Sequence, residues 1–265
     1  MSIKIAFHGA AGRMGRRLVA IASADSAFQV VGAVEHSSCP QLGQDAGSLA
    51  GVASIGVPLA AKLETPCDVV VDFSVPKAVS GIVAACVEKK IPLVVATTGM
   101  EPHELDLIRQ AATKIPILWS PSMSLAVNLA MKLCATAGAA LKDHPSGADV
   151  EIIERHHRYK EDSPSGTALK FGQVIADVMG QTGVAHGREG RPGARPHNEI
   201  GYHAVRTGDN PGEHTIIFGL LGETLEISVK ASNRDCYAQG ALAAAKFLVG
   251  KPAKLYGMAD VLGLS

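Results

Sequence analysis

The sequence predicts an α/β protein of two domains, and three observations predict it. Residues 3–8 (IKIAFH) form a short apolar, β-rich run that enters a glycine-dense turn, Gly9 to Gly15, and then a helical stretch, Arg16 to Ala24. Apolar strands and alanine-rich helical segments then alternate through the first half of the chain, the order that builds a parallel sheet. Later, three strand patterns follow one another directly, at 200–206, 213–220 and 223–231. Consecutive strands after a single helix point to a mixed or antiparallel sheet in a second, α+β domain.

The opening segment continues into a strand at Phe28–Val34, closed by Glu35. Strand, glycine turn, helix, strand and acid, in that order, begin a Rossmann-type dinucleotide-binding domain. The glycines let the backbone approach a pyrophosphate, the helix N-terminus stabilises its charge, and Glu35 would take the ribose hydroxyls. The spacing is G-x-x-G-x-x-G rather than G-x-G-x-x-G, so a purely structural turn is the competing reading.

Asp68–Phe73 (DVVVDF) is apolar through its centre, as a strand buried on both faces must be. A helix from Pro76 to Lys90, a strand at Leu93–Ala96, a helix around Glu104–Thr113 and a strand at Ile117–Trp119 complete the alternation. Open α/β sheets bind ligands at the C-terminal ends of their strands. Thr97, Thr98 and the turn Ser120-Pro121-Ser122-Met123 are therefore candidates to line a nicotinamide pocket, with ordinary turn chemistry as the alternative.

Asn128–Leu141 reads as a connecting helix. A strand at 148–155, a charged loop, a helix at 167–179 and a Gly/Arg/Pro-rich stretch at 183–198 follow. The helix Asp235–Val249 and the tail Tyr256–Leu264 read as a return to the first domain. The expected division is thus 1–127, with 236–265 returning to it, and 128–235. The second sheet has one face left to cover, and packing against copies of the same chain would cover it.

Composition excludes several classes. The chain has 265 residues, 47% hydrophobic and 19% charged, enough to bury a full core and too apolar for disorder. A formal net charge of zero gives no global pull toward nucleic acid or membranes. No apolar run reaches the ~18 residues of a membrane span. The five cysteines are scattered, with no C-x-x-C pair, which fits a reducing cytoplasm better than a disulfide framework or a metal knuckle. Met1-Ser2-Ile3 enters a strand directly, with no signal peptide.

The chemistry concentrates in Glu151 to Leu169 (EIIERHHRYKEDSPSGTAL). His156 and His157 are adjacent, so at a strand end they point apart and do not share a ligand shell easily. The other histidines show no ligand spacing, so no metal is expected. General acid–base work by His156 and Lys160 fits better, with a surface ion pair to Glu161 or Asp162 as the alternative for Lys160. Ser165-Gly166-Thr167 would present backbone N–H groups and hydroxyls to a substrate carboxylate, or act as a plain helix cap.

Three segments resemble the 4-hydroxy-tetrahydrodipicolinate reductase (dihydrodipicolinate reductase) family of the diaminopimelate route to lysine. Gly9 to Gly15 is similar to the family's GxxGRMG turn. Glu151 to Ala168 resembles its signature E-x-x-E-x-H-H-x-x-K-x-D-x-P-S-G-T-A. The third segment is Gly201 to His214 followed by Lys230-Ala-Ser-Asn-Arg234. The resemblance implies that His156 and Lys160 handle protons, and that His157, Ser165, Gly166 and Thr167 hold the carboxylates of a small dicarboxylate substrate. It implies that Gly9, Ala10, Ala11, Gly12, Arg13, Met14, Glu35, Ala96, Thr97, Thr98, Ser120, Pro121, Ser122 and Met123 contact NADH or NADPH. It also implies hydride addition at C4 with loss of the 4-hydroxyl as water, protonation of the neighbouring carbon by Lys160, and a homotetramer built through the second domain's sheet.

The chain departs from the family at two places, with Ala96 opening Ala-Thr-Thr-Gly where Gly is common, and Ser122-Met123 where Asn-Phe is common. His36 stands where some relatives carry an arginine that assists NADPH, so NADH should serve at least as well as NADPH. The competing functions are another two-domain NAD(P)-dependent dehydrogenase of amino-acid metabolism, and a dinucleotide sensor without catalysis. A sensor would have no use for Lys160.

Overall fold

The computed structural model describes residues 1–264, which divide into two compact units: Met1–Leu125 with the chain from Asp235 onward, and Ala126–Arg234.

The first unit runs β1 (Ile3–His8), α1 (Arg13–Ala24), β2 (Phe28–Val34), α2 (Ala46–Leu49), β3 (Leu59–Ala60), β4 (Val69–Asp72), α3 (Pro76–Lys89), β5 (Leu93–Val95), α4 (Pro102–Ala111) and β6 (Ile117–Trp119). Its sheet has the order β3-β2-β1-β4-β5-β6, and every pairing is parallel. Val69, Val70 and Val71 are all shut off from solvent, which is why this strand is continuously apolar rather than alternating. The strand order reverses between β1 and β4, and at such a switch point the crevice above the strand ends takes a ligand.

The glycine turn fills that place. Gly9 has φ +77°, and a Cβ there would stand 2.6 Å from the Phe73 carbonyl oxygen. A Cβ on Gly15 would stand 2.1 Å from the Gly9 carbonyl oxygen. Only glycine fits at either position. The helix begins at Arg13, one turn earlier than its apolar pattern suggests, because Gly12 acts as a cap without a side chain.

The second unit consists of α5 (Leu125–Leu141), β7 (Asp149–His156), α6 (Gly166–Met179), β8 (Gly183–His186), β9 (Glu199–Arg206), β10 (Glu213–Leu220) and β11 (Glu223–Lys230). Its sheet is mixed, in the order β11-β10-β7-β9-β8, with β7 parallel to β9 and antiparallel to β10. The Gly/Arg/Pro-rich stretch contains an edge strand, β8, that its composition hides. Val150, Ile152, Ile216 and Phe218 face Phe171 and Ile175 of α6, all fully buried. Each of the two phenylalanines contributes roughly 1.5–3 kcal/mol by leaving water. Gly172 lets α6 lie close, since a Cβ there would stand 1.7 Å from the Tyr202 hydroxyl.

The chain then returns to the first unit as α7 (Asp235–Leu248), β12 (Leu255–Tyr256) and α8 (Met258–Val261), with β12 added beside β6 as a seventh parallel strand. Small residues bring α7 close: Ala238, Ala241, Ala244 and Ala245 are buried. A Cβ on Gly240 would stand 1.7 Å from the Met123 carbonyl oxygen. Among the described residues, no helix is long and apolar enough to cross a membrane.

Candidate active site

In β7 the period-two alternation that buries Val150 and Ile152 carries Glu154 and His156 onto the same face. A carboxylate delivered there must be paired, and Glu154, with no side-chain exposure, is. Arg206 grips it with both nitrogens, Nη1 to Oε2 at 2.8 Å and Nη2 to Oε1 at 2.7 Å. His156 Nδ1 lies 2.5 Å from Oε2, and the Ser165 N–H donates to Oε1 at 3.0 Å. Burial opposes the charge on Glu154, but the Arg206, His156 and Ser165 bonds outweigh it and hold the pKa below the usual carboxylate value.

His156 is 8% exposed and packs edge-on against the buried His214, with ring centroids 5.3 Å apart. Burial lowers the pKa of His156 against the upward pull of Glu154, so the ring is neutral at pH 7. His214 is pushed down to about 4, by burial first and second by the charge that His156 takes on once it is protonated at lower pH. Lys160 Nζ pairs with Asp162 Oδ1 at 2.7 Å, which selects Asp162 over Glu161 as its carboxylate. His157 is half-buried beside Tyr159, and its Nδ1 is buried without a hydrogen-bond partner.

Ser165 is the N-cap of α6: its hydroxyl accepts from Ala168 N at 3.2 Å and lies 3.2 Å from His214 Nε2. At 2% exposure, with its hydroxyl engaged on both sides, it holds the turn in shape. Gly166 and Thr167 follow at the more open end, where first-turn N–H groups lack an intrahelical acceptor and suit an anion.

Glu154, Arg206 and His214 were not singled out from the sequence. The two-residue step from Glu154 to His156 does place both on one strand face, and a carboxylate on a core face demands a cation. Which cation follows from register alone: Arg206 stands opposite His156, and His214 opposite Glu154.

In the first unit, Asp72 ends β4 fully buried. Its oxygens lie 2.6 Å from His8 Nδ1 and take the Thr97 hydroxyl at 2.6 Å, and Thr97 Oγ1 accepts from Ser74 N at 3.1 Å. The ends of β1, β4 and β5 are thereby tied together, and the Thr97 hydroxyl is spent on that tie. Thr98 is exposed and Ala96 buried. Met123 is 2% exposed and part of the core, so its side chain is committed to packing. Ser120 Oγ donates to Ser122 O at 2.8 Å and closes the turn, with Pro121 exposed on it. Glu35 Oε2 accepts from Ala11 N at 3.0 Å and Oε1 from His36 N at 3.0 Å, so this acid braces the glycine turn. It keeps further acceptor capacity for hydroxyls. The cradle at Gly9 and Gly15, and an α1 start with no side-chain cap and no acid in its first turn, fit a dinucleotide pyrophosphate.

A Rossmann unit whose glycine turn fits a dinucleotide, and a mixed-sheet unit that gathers titratable side chains, together make the architecture of a nicotinamide-dependent oxidoreductase. Residues 3–123 match the family model described as "Dihydrodipicolinate reductase, N-terminus", and residues 126–262 match the one described as "Dihydrodipicolinate reductase, C-terminus". The 4-hydroxy-tetrahydrodipicolinate reductase of Rhodopirellula baltica is 56% identical, covering 99% of this chain and 97% of that protein. The enzyme of the same name from Alkalilimnicola ehrlichii is 43% identical and covers 100% of both. A solved structure, the dipicolinate-bound dihydrodipicolinate reductase from Paenisporosarcina sp. TG-14, aligns with a TM-score of 0.79 and 27% identity. That alignment covers 98% of this chain and 99% of the other. The chain belongs to the dihydrodipicolinate reductase family, as its three resembling segments imply.

Proposed function

We propose that the chain reduces 4-hydroxy-tetrahydrodipicolinate to tetrahydrodipicolinate with NADH or NADPH and releases water, in the diaminopimelate route to lysine. The observation that carries the reading is the joined cluster of His156, Glu154 and Ser165 at the end of β7, in a chain that matches both halves of the family. A nicotinamide coenzyme supplies the hydride. The turn from Gly9 to Met14 binds its pyrophosphate and Glu35 its ribose, while Ala96 to Thr98 and the backbone of Ser120 to Met123 shape the far end of that site. Gly166, Thr167 and the free Nδ1 of His157 hold the substrate carboxylates, and Ser165 keeps their turn in place. Lys160 gives a proton to the carbon beside the one that receives the hydride, and His156 exchanges protons with the substrate through its free nitrogen. The 4-hydroxyl leaves as water together with a hydrogen of the adjacent ring carbon, and the hydride at C4 and the proton at its neighbour then saturate the double bond so formed.

The protein works as a cytoplasmic homotetramer in this reading, joined through the outer face of the second sheet. The test follows NAD(P)H absorbance with the dihydrodipicolinate synthase product as substrate. Oxidation dependent on that product is expected, and none with either coenzyme would sink the reading.

A further inference from the structure

We propose that Glu154 is a positioning residue for the proton-transfer step: it sets which nitrogen of His156 carries hydrogen and ties the anion-holding turn to that ring. The proposal rests on the reductase reading and adds to it a residue whose role is to orient others.

Both Glu154 oxygens are fully used. Arg206 donates to each, Ser165 N to Oε1, and His156 Nδ1 lies against Oε2. An ionised carboxylate only accepts, so the fourth group must also bring a hydrogen. The neutral His156 ring therefore carries its proton on Nδ1, which leaves Nε2 as the basic nitrogen. Nε2 lies against Gly212, where a Cβ would stand 2.9 Å away, so any side chain at 212 would press on this nitrogen.

The same carboxylate fixes the other half of the site. Through Ser165 N it holds the first turn of α6, and Arg206 also donates to the Asp162 carbonyl at 2.7 Å. The Glu154–Arg206 pair thus grips residues 162–165 at both ends. Distance matters here, because a misplacement of about 1 Å at a reacting centre can cost ~10²-fold in rate. The groups facing His156 are Glu154 on its own strand, Arg206 on β9, His214 on β10, and Lys160 with its partner Asp162 on the loop. Glu154 is the anion in direct contact with the ring, and the cations Lys160 and Arg206 both oppose its protonation. Removing the Glu154 charge should therefore make His156 harder to protonate.

Glu154→Gln tests this with two readouts. A glutamine has the same size but can turn an N–H toward His156 Nδ1. In the intact protein, nitrogen NMR of the histidine side chains should show His156 protonated at Nδ1 and bare at Nε2, and Glu154→Gln should move the proton to Nε2. With NADH and the synthase product, Glu154→Gln should lower kcat by ~10²-fold and shift the acid limb of the kcat/KM profile down by about one pH unit. The KM for NADH should stay within about twofold. Glu154→Asp, which restores charge at shorter reach, should recover part of kcat and the original pH limb. A wild-type ring protonated at Nε2 overturns the proposal, and so does a Glu154→Gln enzyme that is slower with an unmoved pH limb. The wild-type tautomer decides the matter if the variant does not fold. Because that spectrum needs no turnover, an inactive wild-type enzyme would refute the reductase reading, while the tautomer that Glu154 sets is still decided by the spectrum alone.

Discussion

A neutral histidine kept in a core leaves a signature in stability against pH. His214 lies against Phe171, His156 and Ser165, and its pKa is pushed down to about 4. The folded value is below the ordinary one near 6.5, so between the two the unfolded chain takes a proton that the folded chain refuses. Stability is therefore full above about pH 6.5 and falls as pH drops toward 4, by roughly 3 kcal/mol at the limit. Calorimetry should record a lower Tm at about pH 5 than at about pH 7.5, and His214→Phe should flatten that slope. A wild-type Tm unchanged across the range would refute the assignment. At the same scale, Lys160→Met and His156→Ala should each lower kcat by ~10²-fold or more while the Kd for NADH stays within about twofold. Unchanged turnover would return the loop to plain surface. His156, Lys160 and Ser165 were legible because they are near neighbours in one stretch of chain. Arg206 and His214 reach the site only through strand pairing, and no single strand records its register.

Among elements, the long periodic ones were readable and the short ones were not. The chain's α1, α3, β2, β7 and β10 hold several repeats of their period, whereas α2, β3, β12 and α8 span two or four residues and show none. What α7 does was also hidden, since an alanine-rich helix does not name the turn it supports. Gly240 has no room for a side chain against the Met123 carbonyl, so Gly240→Ala must push α7 or the 120–124 turn aside. A loss of ~1–3 kcal/mol is expected, with a weaker Kd for NADH read from Trp119, the chain's single tryptophan and the neighbour of that turn. Normal NADH affinity in a destabilised variant would show that the turn does not shape the nicotinamide end. At the close of β2, Glu35 would face a 2′-phosphate with like charge. His36 beside it is exposed, with its Nδ1 engaged by Ser38 at 2.7 Å. Since no arginine stands there to neutralise that phosphate, kcat/KM with NADH should equal or exceed the value with NADPH. A large NADPH preference would refute this.

At the scale of the molecule, the second sheet has two faces and one layer of helices. The core face is closed by α5 and α6, while the other carries Ile153 at 39% and Val205 at 41% exposure, on the adjacent strands β7 and β9. Ile217 of β10 lies on the same face, since it pairs with Glu151 two residues before Ile153. Around this apolar strip, Glu151 is held by Arg188, Arg195 and His203, and Arg155 pairs with Glu213. The polar groups are thus already matched within the chain, and covering them would leave few charges unpaired. An exposed apolar strip on a rigid sheet favours self-association, and a net charge of zero offers no long-range repulsion against it. Sedimentation should find a tetramer at micromolar concentration. Ile153→Asp and Ile217→Asp should each shift the population to smaller species, because either would bury an unpaired carboxylate at the contact. The circular dichroism of these variants should stay that of the wild type, since neither side chain belongs to the core face. A monomeric wild type would remove the outer face from the assembly, and a tetramer indifferent to both substitutions would place the contact elsewhere.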